Sequence, residues 1–262
     1  MKDLHEKIGG RQVQDLHWRP PFLGSMNPHM SGYGQFCPIA KAAQILAERW
    51  TPLVLRELIC GSTRFNDLRR GVPLMSSSLL AQRLRFLERE GVIERRVARS
   101  GRGFEYHLTD AGRELEPLII LMGEWGARWV RSQLAPEDLD VALLMWDMHR
   151  TVRPEYFPAR RIVVAFEFKD VPQSKRRWWL LSEGDAADLC ITDPGHEVDL
   201  FIFTDVRTMT AIWTGDLTLD SALASGALEA VGPADLCRRL NNWLGLSAFA
   251  PIKSMRATRA AV

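Results

Sequence analysis

The sequence predicts an α+β protein in two modules, a mostly helical one with a single β-hairpin and a following one that mixes strands with helices. Three observations predict this. From Pro38 apolar residues recur at helical spacing, interrupted once by two alternating runs around RSGRG. Beyond residue 160 four short alternating runs follow one another, separated by turn residues, before helical spacing returns. The charge also divides: Cys37–Leu134 carries 16 Lys and Arg against 11 Asp and Glu, whereas Ala135–Val262 carries 14 against 18. A basic module is thus joined to an acidic one.

Residues 1–35 contain Pro20-Pro21, several glycines and no sustained period, and are expected as a flexible tail. The first module spans 36–134. Ile39, Ala42, Ala43, Leu46 and Ala47 make one face of a helix expected to end near Trp50. Pro52 suits the first turn of a second helix, TPLVLRELICG, stopped by Gly61. A third helix runs from Thr63 to Gly71, and a fourth from Ser76 to Glu90, with serines at its start and Gly91 after it. VIERRVA and GFEYHL then form the hairpin. From Thr109 one long helix is expected, with an apolar stripe of Leu115, Leu118, Ile119, Met122, Trp125 and Trp129. Helices, hairpin and trailing helix stand in the order of a winged helix-turn-helix.

The fourth helix carries the chemistry. Leu80, Leu84 and Leu87 share one face, which leaves Ser78, Gln82, Arg85 and Arg89 on the other. Small residues at a helix start permit close approach to a groove, Gln pairs with adenine, and Arg reads guanine or holds phosphate. Ser76, Ser77 and Ser78 add hydroxyls beside free backbone N–H groups, and Arg83 completes the basic set. Alone, such a face is equally what any solvated amphipathic helix shows. The hairpin tips the balance, because its glycines allow a tight tip from which Arg99 and Arg102 project, above Arg95 and Arg96 at the base. RSGRG is not a nucleotide-binding loop: a strand pattern follows it, where such a loop needs a helix.

Other chemistries are not encoded. The four cysteines and six histidines are scattered without CxxC, HExxH or similar spacing, so no metal site, disulfide framework or cofactor is expected. No nucleophile–base set or acid/base pair stands out, which argues against an enzyme. No run approaches the roughly 18–20 apolar residues of a membrane span and no signal pattern opens the chain, so a cytoplasmic protein is expected.

The second module, 136–255, opens on a helix at EDLDVALLMWDMHRTV. RRIVVAFEF, KRRWWLLS, ADLCITD and VDLFIFT read as strands. A helix around Val206–Trp213, a turn at TGD, LDSALASG, LEAVG and a last helix from Pro233 to Leu244 complete an α+β domain.

The stretch from Cys37-Pro38 through Arg49-Trp50, Arg64-Phe65-x-x-Leu68, Arg83-Leu84-x-x-Leu87-Glu88 and Gly91 to Tyr106-x-Leu108-Thr109-x-x-Gly112 resembles the DNA-binding domain of HxlR-type transcriptional regulators. The resemblance implies a homodimer on double-stranded operator DNA. It places the dimer contacts on the helices outside the winged core, with Ile39 and Ala43 on one and Leu118, Met122, Trp125 and Trp129 on the other. The Ser76-Ser77-Ser78 run departs from the longer polar residues more usual there. Some members of the family sense oxidants through a cysteine at the position of Cys37, and a helix amino terminus lowers a thiol pKa. An inert half-buried cysteine is the plainer alternative.

TAIWTGDLTLDSALASGALEAVGPADLCRRLNNWL resembles the closing part of sterol-carrier-protein-like domains, through Trp213-x-Gly215, Ala222-Leu223, Gly226-x-Leu228 and Gly232. That resemblance implies a cavity for a small hydrophobic ligand between sheet and helices, with Trp146, Phe166, Trp179, Phe203 and Trp213 as candidate lining. The expected function is a homodimeric, sequence-specific DNA-binding regulator modulated by such a ligand. Two alternatives stay open: a thiol-based sensor acting through Cys37, and a lipid carrier whose winged helix is only a dimer scaffold.

Overall fold

A computed structural model describes residues 32–131 and 134–255. The expected tail over 1–35 therefore lies almost entirely outside the described residues. The first module contains α1 (Pro38–Leu46), α2 (Thr51–Ile59), α3 (Phe65–Gly71), α4 (Ser77–Arg89), a hairpin of β1 (Ile93–Val97) and β2 (Phe104–Leu108), then α5 (Asp110–Arg113) and α6 (Glu116–Trp129). This is a winged helix-turn-helix, with α3 and α4 as the helical pair and β1–β2 as the wing.

Two expected boundaries fail for identifiable reasons. The first helix stops at Leu46, not near Trp50: the chain turns over Ala47–Trp50, and Trp50 takes a left-handed φ of 77° just ahead of α2. The single long helix from Thr109 is two helices. Thr109 caps α5 by accepting a hydrogen bond from the Gly112 amide at 3.1 Å, and Pro117 begins α6. A proline there has no N–H for the Arg113 carbonyl and its ring crowds that turn, so the chain breaks and restarts.

In the second module α7 (Val141–His149) precedes a five-stranded sheet of β3 (Ile162–Phe168), β4 (Arg177–Glu183), β5 (Ala186–Cys190), β6 (Leu200–Thr204) and β7 (Glu229–Val231). The strand order is β5-β4-β3-β6-β7, with β3 and β6 parallel and the other pairs antiparallel. Helices α8 (Val206–Trp213) and α9 (Leu219–Ala224) follow β6. The expected final helix is split into α10 (Ala234–Arg238) and α11 (Leu240–Trp243) at Arg239. No helix among the described residues is long and apolar enough to cross a membrane.

The buried residues form two clusters. One joins Val54, Leu55, Leu58, Leu68, Leu80, Leu84 and Leu87 beneath the helix-turn-helix. The other packs Val164, Phe166, Leu180 and Ile202 from the inner face of the sheet against Met145, Met209, Leu240 and Trp243 from the helices. Helix α7 is apolar nearly all round because it is covered on both sides. Met145 and Met148 enter the second cluster, while Trp146 turns towards the first module.

Candidate nucleic-acid interface

Helix α4 is held by its buried leucines and by a cap. Ser76 Oγ accepts the Leu79 amide at 3.3 Å and lies 3.1 Å from Ser78 Oγ, so the Ser76 side chain is committed to the helix end. Ser77, Ser78, Gln82, Arg85 and Arg89 are exposed along the outer face. Arg85 makes no hydrogen bond or ion pair among the described residues, while the Arg89 guanidinium rests 5.8 Å from the Phe86 ring centroid.

Arg83 does not join that face. Its side chain is only 11% exposed, 3.0 Å from the Glu48 carboxylate, and stacked over Phe86. It braces α4 against the α1–α2 turn.

The wing closes by a hydrogen bond from the Ala98 amide to the Gly103 carbonyl at 3.1 Å, with Gly101 and Gly103 at φ +69° and +79°. Side chains rarely adopt that region, which is why two glycines stand at the tip. Arg99 and Arg102 are exposed there and have no partner among the described residues. Arg95 and Arg96 are engaged instead: Arg95 stacks 4.4 Å over Phe104 and pairs with Glu88 at 3.7 Å, and Arg96 pairs with Glu94. The wing is tied to the helix-turn-helix by the Tyr106 amide, which donates to the Thr63 carbonyl at 2.8 Å, and by Arg64, 3.6 Å from Glu105. Helix α4 and the wing tip therefore present Arg85, Arg99 and Arg102, unpaired among the described residues, from a braced frame.

Behind the frame lies a buried ion cluster that sequence reading missed. Glu57 is 0% exposed. Its carboxylate accepts from Arg56 at 2.8 Å, Ser62 at 3.2 Å and the Trp146 indole at 3.1 Å, and it pairs with Arg150. Trp146 and Arg150 belong to the second module. Burial pushes the Glu57 carboxyl up, but the Arg150 hydrogen bond and charge, aided by Arg56 and Trp146, outweigh it and hold the group below the ordinary carboxylate range. One sign was legible: Glu57 lies three residues after Val54 and one before Leu58, on a face that must be buried.

Other expected site residues are placed as follows. Cys37 is the residue before α1, partly exposed, its carbonyl accepting the Lys41 amide at 3.0 Å. Partial desolvation pushes the thiols of Cys60, at the surface after α2, and Cys190, at the end of β5, above their usual range. Ile39, Leu118, Met122 and Trp125 are exposed, while Ala43 and Trp129 are half-buried. The five residues suggested for a ligand cavity do not converge. Phe166 points into the helix-facing core, Trp179 and Phe203 lie on the opposite sheet face, Trp213 ends α8, and Trp146 is at the Glu57 cluster. Strand parity sends Trp178 inward, where its indole donates to the Lys175 carbonyl at 2.8 Å, and leaves Trp179 outside. Among the described residues no group of three or more His, Cys, Asp or Glu is arranged to hold a metal ion.

The model of the HxlR-like helix-turn-helix family matches residues 45–134. The HTH-type transcriptional regulator YvaP of Bacillus subtilis is 37% identical over 98 residues, covering 37% of this chain and 91% of the relative. YdeP of the same organism is 39% identical over 94 residues, 36% of this chain and 73% of its own. Among solved structures, the redox regulator HypR in its reduced form is 34% identical, with 34% of this chain and 90% of that chain covered and a TM-score of 0.33. With its helix-turn-helix frame in place and most of YvaP's length matched, the chain belongs to the HxlR-like helix-turn-helix family.

Proposed function

We propose that this chain is a transcriptional regulator that binds operator DNA as a homodimer and is modulated through its second module. One observation carries the reading: Gln82 and Arg85 on α4 and Arg99 and Arg102 on the wing tip are exposed and make no side-chain hydrogen bond or ion pair among the described residues, on elements braced by Arg83 and Arg64. A helix of this kind reads base edges in the major groove while the wing holds phosphate or an adjacent minor groove. Relatives that match over this module are described as transcriptional regulators, which supports the same reading.

Twofold symmetry has its own support. Met122 and Trp125 on α6 are 50% and 58% exposed, with Leu118 and Leu121 beside them, and Ile39 on α1 is 72% exposed. A contiguous apolar helix face left open marks an interface. A second copy covering it would set two recognition helices about one turn of DNA apart. A small apolar ligand in the second module would act by favouring one spacing of those helices.

Enrichment of duplexes from a random-sequence pool tests the core of this reading. A DNA-binding regulator enriches a palindromic sequence and loses affinity with salt at a log–log slope of about −0.9 per phosphate contacted. Failure to enrich any duplex would sink it, and would favour a carrier with a winged-helix scaffold.

The position of Cys37 at the amino end of α1 supports a second reading, in which oxidation of its thiol alters DNA binding. Diamide releasing DNA from the parent but not from Cys37→Ser is the expected result. Release from both would exclude it.

A further inference from the structure

We infer that Glu57 is the positioning residue through which the second module sets the seat of the recognition helix, with Arg150 as the cation that holds it. The inference rests on the operator-binding reading and names the residue pair through which the second module reaches that site.

The carboxylate lies where three parts of the helix-turn-helix meet. It belongs to α2, its backbone carbonyl accepts the Ser62 amide at 3.0 Å in the loop after α2, and it presses on Gly71 at the end of α3. A methyl group at position 71 would fall 1.8 Å from the Glu57 carboxyl carbon, so the end of α3 is seated on the carboxylate itself. Arg56 locks the same point by donating to the Gly71 carbonyl at 2.7 Å. Only Val72–Met75 separate Gly71 from Ser76, the cap of α4. Any shift of the carboxylate therefore moves the turn from which the recognition helix departs.

Half of what fixes the carboxylate comes from outside the first module. Arg150 pairs with it and donates to Ser62 at 2.8 Å, and the Trp146 indole approaches from the same helix, α7. Trp146 is itself clamped between Arg150, 4.8 Å from its ring, and Arg70 of α3 at 5.2 Å. A buried carboxylate that loses its main cation must turn, take up water or take up a proton. Each response changes the contact with Gly71. Displacement of α7 is thereby converted into displacement of α4, although Arg150 touches no part of the exposed DNA face.

The test uses the full chain, a duplex enriched by the parent protein and an unrelated duplex, with binding read by fluorescence anisotropy in the cold. Arg150→Ala is expected to lose about tenfold on the enriched duplex, with affinity for the unrelated duplex and the salt slope unchanged. Arg150→Lys should recover part of the loss. The neutral pair Glu57→Gln with Arg150→Met should recover more than Arg150→Ala, because no charge is left stranded. A merely structural role lowers the melting temperature but leaves discrimination between the two duplexes untouched, and that outcome overturns the inference. If Arg150→Ala does not fold, parent-like discrimination by Arg150→Lys together with a lowered melting temperature overturns it equally. If the parent enriches no duplex, the operator-binding reading itself falls, and this inference with it.

Discussion

The guanidinium of Arg83 lies 3.0 Å from the carboxylate of Glu48, whereas Arg85, two residues on, faces solvent. Two basic residues on one helix thus stand in different settings, one paired and half-buried and the other exposed. Replacing Arg83 by Ala should lower the melting temperature and weaken all DNA sequences alike, because the brace is lost. Replacing Gln82 or Arg85 should instead cost about 1–3 kcal/mol at one or two base positions and relax preference there. Competition with single-base variants of an enriched duplex separates the two patterns.

At the wing, Arg99→Ala with Arg102→Ala should weaken binding to every sequence. If each arginine holds one phosphate, the salt slope should flatten by about 0.9 per residue. A titration series in salt measures both. Parent-like affinity in the double variant would return the hairpin to plain surface.

The Glu57 cluster predicts a defined pH dependence. The folded carboxyl is held below its ordinary range, so its contribution to stability is present above that range and lost as pH falls through the folded value. Asp147 acts in the opposite sense: burial raises its carboxyl, so ionisation at rising pH works against the fold. Glu57→Gln should therefore be less stable near neutrality by about 3 kcal/mol and show a flatter loss of stability in acid. Asp147→Asn should gain stability near neutrality. Denaturant unfolding across a pH series reads all three proteins.

Gly123 offers a test whose sign reverses. In a bare helix interior, Gly→Ala gains about 1 kcal/mol. Here a methyl at position 123 would come within 2.2 Å of the Phe249 ring, which lies against α6. Gly123→Ala should thus destabilise the parent, yet stabilise a Phe249→Ala background. Thermal unfolding of the four proteins decides it, and a gain in both backgrounds would show that Phe249 does not occupy this place.

The exposed α6 face predicts association. Met122→Glu with Trp125→Glu should convert a dimer to a monomer in sedimentation and weaken operator binding more than tenfold, since each half-site is then bound alone. Unchanged mass would place the dimer contact elsewhere.

Helix α4 was legible because Leu80, Leu84 and Leu87 keep a strict helical spacing that assigns every other position a direction. The same spacing also marked Arg83, three residues after Leu80 and four before Leu87, as a flank of the buried face. Its grouping with the DNA contacts followed charge instead of geometry. Glu57 was visible as a charge on an apolar face, but its partner lies 93 residues away and no local pattern points to it. The cavity residues misled for a different reason. Trp178 and Trp179 are adjacent and both aromatic, so the period of two could not be phased from side-chain type alone.

Arg131 gives the division of the chain a practical meaning. Its guanidinium donates to the carbonyls of Thr214, Phe249 and Ile252 at 3.1, 3.1 and 2.7 Å and lies 3.1 Å from Asp216. The Met255 amide returns the favour by donating to the Arg128 carbonyl at 2.8 Å. A chimera that grafts residues 36–134 onto a foreign module would have to supply carbonyl acceptors for Arg131, a ring to fill the space beside Gly123 and a cation for Glu57. Swapping at the natural-looking boundary near residue 135 leaves all three sockets empty, so transplantable specificity in this protein begins on both sides of that boundary at once.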